Sequence, residues 1–207
     1  MRRTSKVRRT CLNMTMARRK VLFCPGHYYH VYNRGANRES IFRNRDNYQF
    51  LLRRIKENLL DYPISVIAYC LMPNHYHFLL RQDGDRPISE FVQSVFNSYS
   101  KAFNKAFDRK GTLFEGPFKS LHIEKETHLL HLCRYIHRNP LAAGLVTDLE
   151  DWPFSNYPEW IGKRSGTLID PVFVRGNFKE CEDYSRFVLD YVPSTELESA
   201  VRRLSLE

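Results

Sequence analysis

A strand, a helix, two strands in succession, a second helix and a further strand follow one another over residues 26–123, and a third helix comes next. That order predicts an α+β chain, a ferredoxin-like sandwich whose central antiparallel sheet carries its helices on one face, with a C-terminal extension beyond it. Three observations support it. Ile64 to Met72 is an apolar, β-branched run tied by a short Pro73-Asn74 link to a second strand-like run from His75 to Leu80. Residues 88–107 carry apolar side chains at helical spacing. Phe118 to Ile123 then alternates like a strand again.

Taken in order, Gly26 to Arg34 reads as the first strand, ended by the turn signal Gly35-Ala36-Asn37. Asp46 is placed to cap a helix whose apolar positions Tyr48, Leu51, Leu52, Ile55 and Leu59 recur at helical spacing and which stops before Pro63. The strand pair 64–80 follows. The stripe Ile88, Phe91, Val92, Val95, Phe96, Tyr99 and Phe103 forms the second helix and packs on the sheet, which makes Tyr99 a core residue. The third helix spans 126–139 and ends before Pro140, because a residue preceding proline is biased away from helical geometry. In this topology the first and third strands are central.

The chain of 207 residues suits one domain with appendages. Residues 1–25 form a basic tail without hydrophobic periodicity, expected to lack fixed structure. Residues 26–147 form the main domain, and residues 148–207 a strap and acidic extension packing on it. No apolar run approaches the roughly 20 residues that span a bilayer, and the N-terminus has no signal-peptide core, so a cytoplasmic, nucleoid-associated protein without a membrane partner is expected. The five cysteines are scattered and form no Cys-x-x-Cys pair, which argues against a disulfide framework or a cysteine zinc site. The net charge of +9 divides as +8 over residues 1–20, +6 over 21–147 and −5 over 148–207. A basic tail on a basic body suits a polyanion, and nucleic acid is the commonest.

Strand side chains alternate, so His75 and His77 share a face about 6–7 Å apart while Tyr76 points the other way. That spacing lets two imidazoles share one metal ion. On the third helix, His131, Tyr135 and Asn139 recur every fourth residue along the edge of the apolar stripe. Such a row adds polar groups to a site on a neighbouring sheet.

The combination Tyr29-His30-Val31-x-x-Arg34-Gly35, Met72-Pro73-Asn74-His75-Tyr76-His77, Gly116-Pro117-Phe118-Lys119-Ser120, Arg134 to Pro140 and Trp152-Pro153-Phe154-Ser155 resembles the REP-associated tyrosine transposase family, a single-tyrosine branch of the HUH endonucleases. The resemblance implies that Tyr135 is a nucleophile forming a 5′-phosphotyrosine link, and that His75, His77 and Asn139 hold a divalent metal. An amide oxygen beside a phosphate suits Mg2+ or Mn2+ better than zinc. It also implies a partner, single-stranded DNA bearing a REP-like or palindromic hairpin, with no small-molecule cofactor and a monomer or homodimer as the working unit. The cations expected to meet DNA are Arg34, Lys119, Arg134 and Arg138 in the body and Arg18, Arg19 and Lys20 in the tail. Pro117 and Ala142 depart from the family pattern, standing where arginine is frequent. The competing reading is a non-catalytic single-strand binder that keeps the scaffold and uses aromatic stacking and basic side chains.

Overall fold

The computed structural model describes residues 21–191. Strands β1 (Tyr28–Arg34), β2 (Ile64–Met72), β3 (His75–Gln82) and β4 (Lys119–Ile123) form one sheet in the order β2-β3-β1-β4, every pairing antiparallel. Helix α1 (Arg45–Asn58) links β1 to β2, α2 (Ile88–Ala106) links β3 to β4, and α3 (Glu126–Ala142) follows β4. The first and third strands are central, as the order of elements implies. β3 therefore has a hydrogen-bonded neighbour on each side.

Helices cover both faces of the sheet, where the sequence reading placed them on one. α1 and α2 bury Leu51, Ile55, Phe91, Val95 and Tyr99 against Val31, Tyr69, Leu71, Tyr76 and Phe78. The other face packs on Leu132, Cys133 and Ile136 of α3, joined by α4 (Tyr157–Trp160) and α6 (Cys181–Leu189) through Trp160 and Tyr184. Helix α5 (Pro171–Asn177) borders that second core through Phe173 and Val174. The reason lies in β2, which is apolar nearly throughout instead of alternating, the composition of a strand buried on both sides. A bulge between Val66 and Ala68 lets Ile67 and Ala68 both join the α3 side.

Two helix ends differ from expectation. α1 is capped by Asn44 and not by Asp46: the Asn44 side chain accepts from the Asn47 amide at 3.1 Å, and Asn47 Oδ1 accepts from the Asn44 amide at 3.3 Å. This reciprocal pair satisfies two otherwise orphaned donors, while Asp46 sits in the first turn and complements the helix dipole. α3 continues through Pro140 to Ala142. Pro140 cannot donate to the Ile136 carbonyl, but bonds from Ala143 to Asn139, Gly144 to Leu141 and Leu145 to Pro140 close the end, with Gly144 in the left-handed region at φ 66°.

Residues 21–25, read from sequence as part of the tail, lie along the sheet. Val21 and Phe23 pack on the α1/α2-side core, and the Tyr29 hydroxyl donates to the Leu22 carbonyl and accepts from the Cys24 amide. Arg18, Arg19 and Lys20 lie outside the described residues, as do residues 192–207. Among the described residues no helix is long and apolar enough to cross a membrane, and the four cysteines form no disulfide.

A buried polar network ties α3 to the extension. His137 is fully buried, with Nδ1 2.6 Å from the Tyr184 hydroxyl and Nε2 2.8 Å from Asn156 Oδ1. Asn156 Oδ1 only accepts, and its Nδ2 donates to the Ile67 and Leu168 carbonyls, so His137 carries its proton on Nε2 and accepts from Tyr184. Burial lowers the His137 pKa from 6.5 to about 4. An unfolded chain takes up this proton near pH 6.5 and the folded one does not, so stability falls as pH drops from 6.5 to 4 and levels below that. The loss amounts to roughly 3 kcal/mol. Denaturant unfolding of wild type and His137→Gln over this range should show a shallower pH dependence in the variant, by about one proton. Parallel profiles would contradict a neutral, buried His137.

Candidate active site

β3 begins at His75, directly after the two-residue Pro73-Asn74 turn, and the backbone around that turn is fixed by its neighbours. The Pro73 carbonyl accepts from the Ile41 and Phe42 amides, and the Asn74 carbonyl accepts from Gly35. Gly35 has no alternative, because a Cβ there would sit 2.1 Å from the Glu39 carbonyl oxygen. From this anchored start, alternation sends His75 and His77 toward α3. Tyr76 goes the other way and stacks on Phe96 at 4.1 Å between centroids.

α3 lies over the same face. Its stripe Leu129, Leu132, Cys133 and Ile136 is buried, which leaves Tyr135 and Asn139 on the flank nearest the imidazoles. The Tyr135 and His77 rings meet nearly edge to face, with centroids 5.5 Å apart, and Asn139 lines the same cavity as His75. His75, His77, His131, Tyr135 and Asn139 line one cavity of about 430 Å³. The other two tyrosines weighed from the sequence stand elsewhere. Tyr76 lies on the opposite side of the sheet, and so does Tyr99, whose hydroxyl donates to the Ile41 carbonyl.

Hydrogen bonding sets the chemistry of the wall. His75 Nδ1 is 2.7 Å from Asn74 Oδ1, an atom that only accepts, so the proton is on Nδ1 and Nε2 keeps its lone pair. Asn74 is held in that orientation by donation from Nδ2 to the Arg38 carbonyl at 3.3 Å. Asn139 Nδ2 donates to the Tyr135 carbonyl at 2.8 Å, so the atom it has left to offer the cavity is its Oδ1, an electron-pair donor. Burial pushes both imidazoles below their usual range. For His75 the Asn139 amide, which favours the protonated ring, opposes that shift and Arg34 adds to it; for His77, the shift is large and the charges of His30 and His75 add to it. Both rings are neutral near pH 7, the state in which imidazole binds metal.

Electron-pair donors with no competing positive charge of their own fit a hard divalent cation that takes nitrogen and oxygen ligands. Among the described residues no three His, Cys, Asp or Glu side chains converge, and the groups on this wall that could hold a metal are the two imidazoles and the Asn139 amide.

The cationic residues expected to contact DNA divide into three groups. Arg134 and Arg138 line the cavity and are braced by the extension: Arg138 donates to the Val188 carbonyl at 2.8 Å, and Arg134 donates to His131 Nδ1 at 2.9 Å and stacks on Phe187 and Tyr191. Each guanidinium has five N–H donors, so these bonds leave others for phosphate. Arg34 lines the cavity but is paired with Glu115 in a two-point ion pair. Lys119 is exposed on edge strand β4, opposite Tyr32, and lies outside the cavity wall.

Sequence reasoning missed four residues that complete the site. Asn74 orients His75, and His30 lies behind His77 with its Nε2 3.0 Å from His77 Nδ1. Both stand inside quoted motifs, but neither carried a role. Arg38 lines the cavity from a turn in which it and Asn37 have positive φ, 59° and 54°, a costly geometry for side-chain-bearing residues. Tyr191 closes the wall from the far end of the described chain, and no local pattern marks it.

Comparison with known proteins bears on the family and the fold. A family model described as "Transposase IS200 like" matches residues 24–139. The REP-associated tyrosine transposase of Escherichia coli K12 is 29% identical over 111 residues, covering 53% of this chain and 64% of that protein. A Haemophilus influenzae protein provisionally assigned the same name is 26% identical over 112 residues, covering 49% and 64%. The chain thus spans just under two thirds of the length of these curated relatives. A solved structure of a REP-associated tyrosine transposase bound to a REP hairpin superposes with a TM-score of 0.57 at 23% identity, over 75% of this chain and 94% of that one, a likeness of fold. The resemblance drawn from the motifs is borne out, and since the family match takes in more than half of the sequence, from before β1 to Asn139, the chain belongs to the IS200-like transposase family.

Proposed function

We propose that the protein cleaves and rejoins single-stranded DNA bearing a hairpin, using Tyr135 as nucleophile in a metal-dependent reaction. The observation that carries this reading is convergence. A strand at residue 75 and a helix at residue 135 place two neutral imidazoles, an amide oxygen and a phenol around one cavity rimmed by Arg38, Arg134 and Arg138. Hairpin DNA as partner is supported by the relative solved with a REP hairpin.

His75 Nε2, His77 and Asn139 would hold the metal, and its charge, when bound, supplies polarisation of a non-bridging phosphate oxygen and favours the phenolate of the attacking tyrosine. The chain's own residues do the rest. Arg134 and Arg138 seat the DNA backbone at the cavity, and their bonds to the Phe187 and Val188 carbonyls of the extension fix them before DNA arrives. Tyr135 Oη forms a bond to phosphorus as the bond from phosphorus to the 3′-oxygen breaks. The phenol proton is lost and the departing 3′-oxygen takes one up. The product is a 5′-phosphotyrosine link and a 3′-hydroxyl, and attack by another 3′-hydroxyl reverses the step with no external energy source.

Tyr135→Phe removes one oxygen, so it should leave folding and DNA binding unchanged and abolish the covalent adduct on denaturing gels. Mass spectrometry should place the wild-type adduct on the peptide containing Tyr135. Recovery on Tyr191, the other tyrosine of the cavity wall, would reassign the nucleophile.

His75→Ala and His77→Ala should each slow cleavage on the order of 10²-fold or more while hairpin affinity persists. Chelation should stop the wild-type reaction, with Mg2+ or Mn2+ restoring it. Full cleavage in chelator would remove the metal from the mechanism.

Arg138→Ala should weaken binding to all single strands alike and reduce the slope of log K against log salt by about 0.7, one phosphate contact. A loss confined to one DNA sequence would instead make Arg138 a base reader.

A further inference from the structure

One motif residue has no part in the reaction as described. His30 lies in the middle of central strand β1, is fully buried, and does not line the cavity. An apolar residue is the default at such a position, and a buried imidazole is costly unless its nitrogens are bonded. Its ring is nearly parallel to that of His77, at 17° with centroids 5.2 Å apart, and Tyr32 stacks on it at 4.7 Å. His30 Nε2 and His77 Nδ1 are 3.0 Å apart. Between two neutral rings at that distance there is one proton, and its position decides what His77 can do.

With the proton on His30 Nε2, His77 must carry its own on the other nitrogen. His77 would then present an N–H to the cavity and no lone pair. With the proton on His77 Nδ1, His30 Nε2 accepts, and His77 Nε2 offers a lone pair on the side of Tyr135. The adjacent histidine is the precedent within the site: Asn74 Oδ1 can only accept and holds His75 with its proton on Nδ1.

We propose that His30 is a positioning residue for His77. Protonated on Nδ1, it accepts from His77 Nδ1 and so holds the second imidazole in the ligating tautomer, doing for His77 what Asn74 does for His75. This rests on the proposed metal role of His77. Partners of this kind fix the orientation and basicity of ligating imidazoles, and their loss typically lowers metal affinity 10–100-fold.

The experiment uses the full chain without DNA and has two arms. In the first, long-range 1H–15N correlation on metal-free wild type reports the tautomer directly. His77 should show a protonated Nδ1 and a bare Nε2, His30 the same, with a scalar coupling across the N–H···N bond. A His77 protonated on Nε2 overturns the proposal without any variant. In the second, Mn2+ binding is titrated by electron paramagnetic resonance. His30→Phe keeps an aromatic ring but no acceptor and should weaken binding at least 10-fold, with His77 moving to the Nε2–H tautomer. His30→Gln places an oxygen near the Nε2 position and should retain most of the affinity and the wild-type tautomer. Equal Mn2+ affinity in wild type and folded His30→Phe would also overturn it. Wild type that binds no Mn2+ but shows the expected tautomer and coupling would sink the metal reading and leave the positioning role standing.

Discussion

Two imidazoles on a central strand, between two layers of helices, are the constraint to which the rest of the molecule answers. Burial in that position disfavours the charged ring, and the nitrogen of each ring that faces away from the cavity needs a protein partner. Asn74 meets the need for one and His30 for the other, and each partner is itself held in place. Asn74 sits in a turn whose two carbonyls are bonded by Gly35, Ile41 and Phe42. His30 stacks on Tyr32 within β1. The apparent redundancy of backbone bonding around Pro73 and Asn74 is therefore part of the chemistry, since a loose turn would leave the first imidazole unaimed.

The third helix serves both sides of the problem. Tyr135 faces the cavity, and His137, two residues on, points into the core made with the extension, where Tyr184 and Asn156 take both its nitrogens. Asn156 in turn bonds to the backbone of Ile67 and Tyr69 in β2. The helix carrying the phenol is thus bolted to the sheet carrying the histidines through a polar network and not through apolar contact alone. Arg134 and Arg138 add a second attachment, from the cavity wall to α6.

Much of this was legible in the residues. Period-2 alternation around His75 separates Tyr76 from the site, and the fourfold recurrence of His131, Tyr135 and Asn139 identifies the flank that meets it. The order of elements implies central first and third strands. What escaped the reading depends on tertiary contact. Burial on both faces was written in the unbroken apolar run of β2, but a run of that kind does not say what covers it. The continuation of α3 through Pro140 depends on the closing bonds made by Ala143, Gly144 and Leu145, and local bias before proline points the other way. The reading gave the α1 cap to Asp46, and it is the reciprocal bonding of Asn44 with Asn47 in the fold that makes Asn44 the cap. His30, Arg38 and Tyr191 come to the site from positions 30, 38 and 191, and no spacing rule links those positions to His77.

The Pro73-Asn74 turn and the bulge in β2 bear on how such a chain can change length. Met72 pairs directly with His75 across a two-residue turn, so the hairpin has no slack at that end. One residue inserted at the start of β3, with the Pro73-Asn74 turn kept, would reverse the parity of the strand and turn both imidazoles toward the aromatic core around Phe96. The opposite end of the hairpin already contains an extra residue, at Ile67, and absorbs it by placing two successive side chains on one face. Length variation along this strand pair is therefore confined to the end remote from the histidines, and the shortness of the turn is itself a specification of which face holds the chemistry.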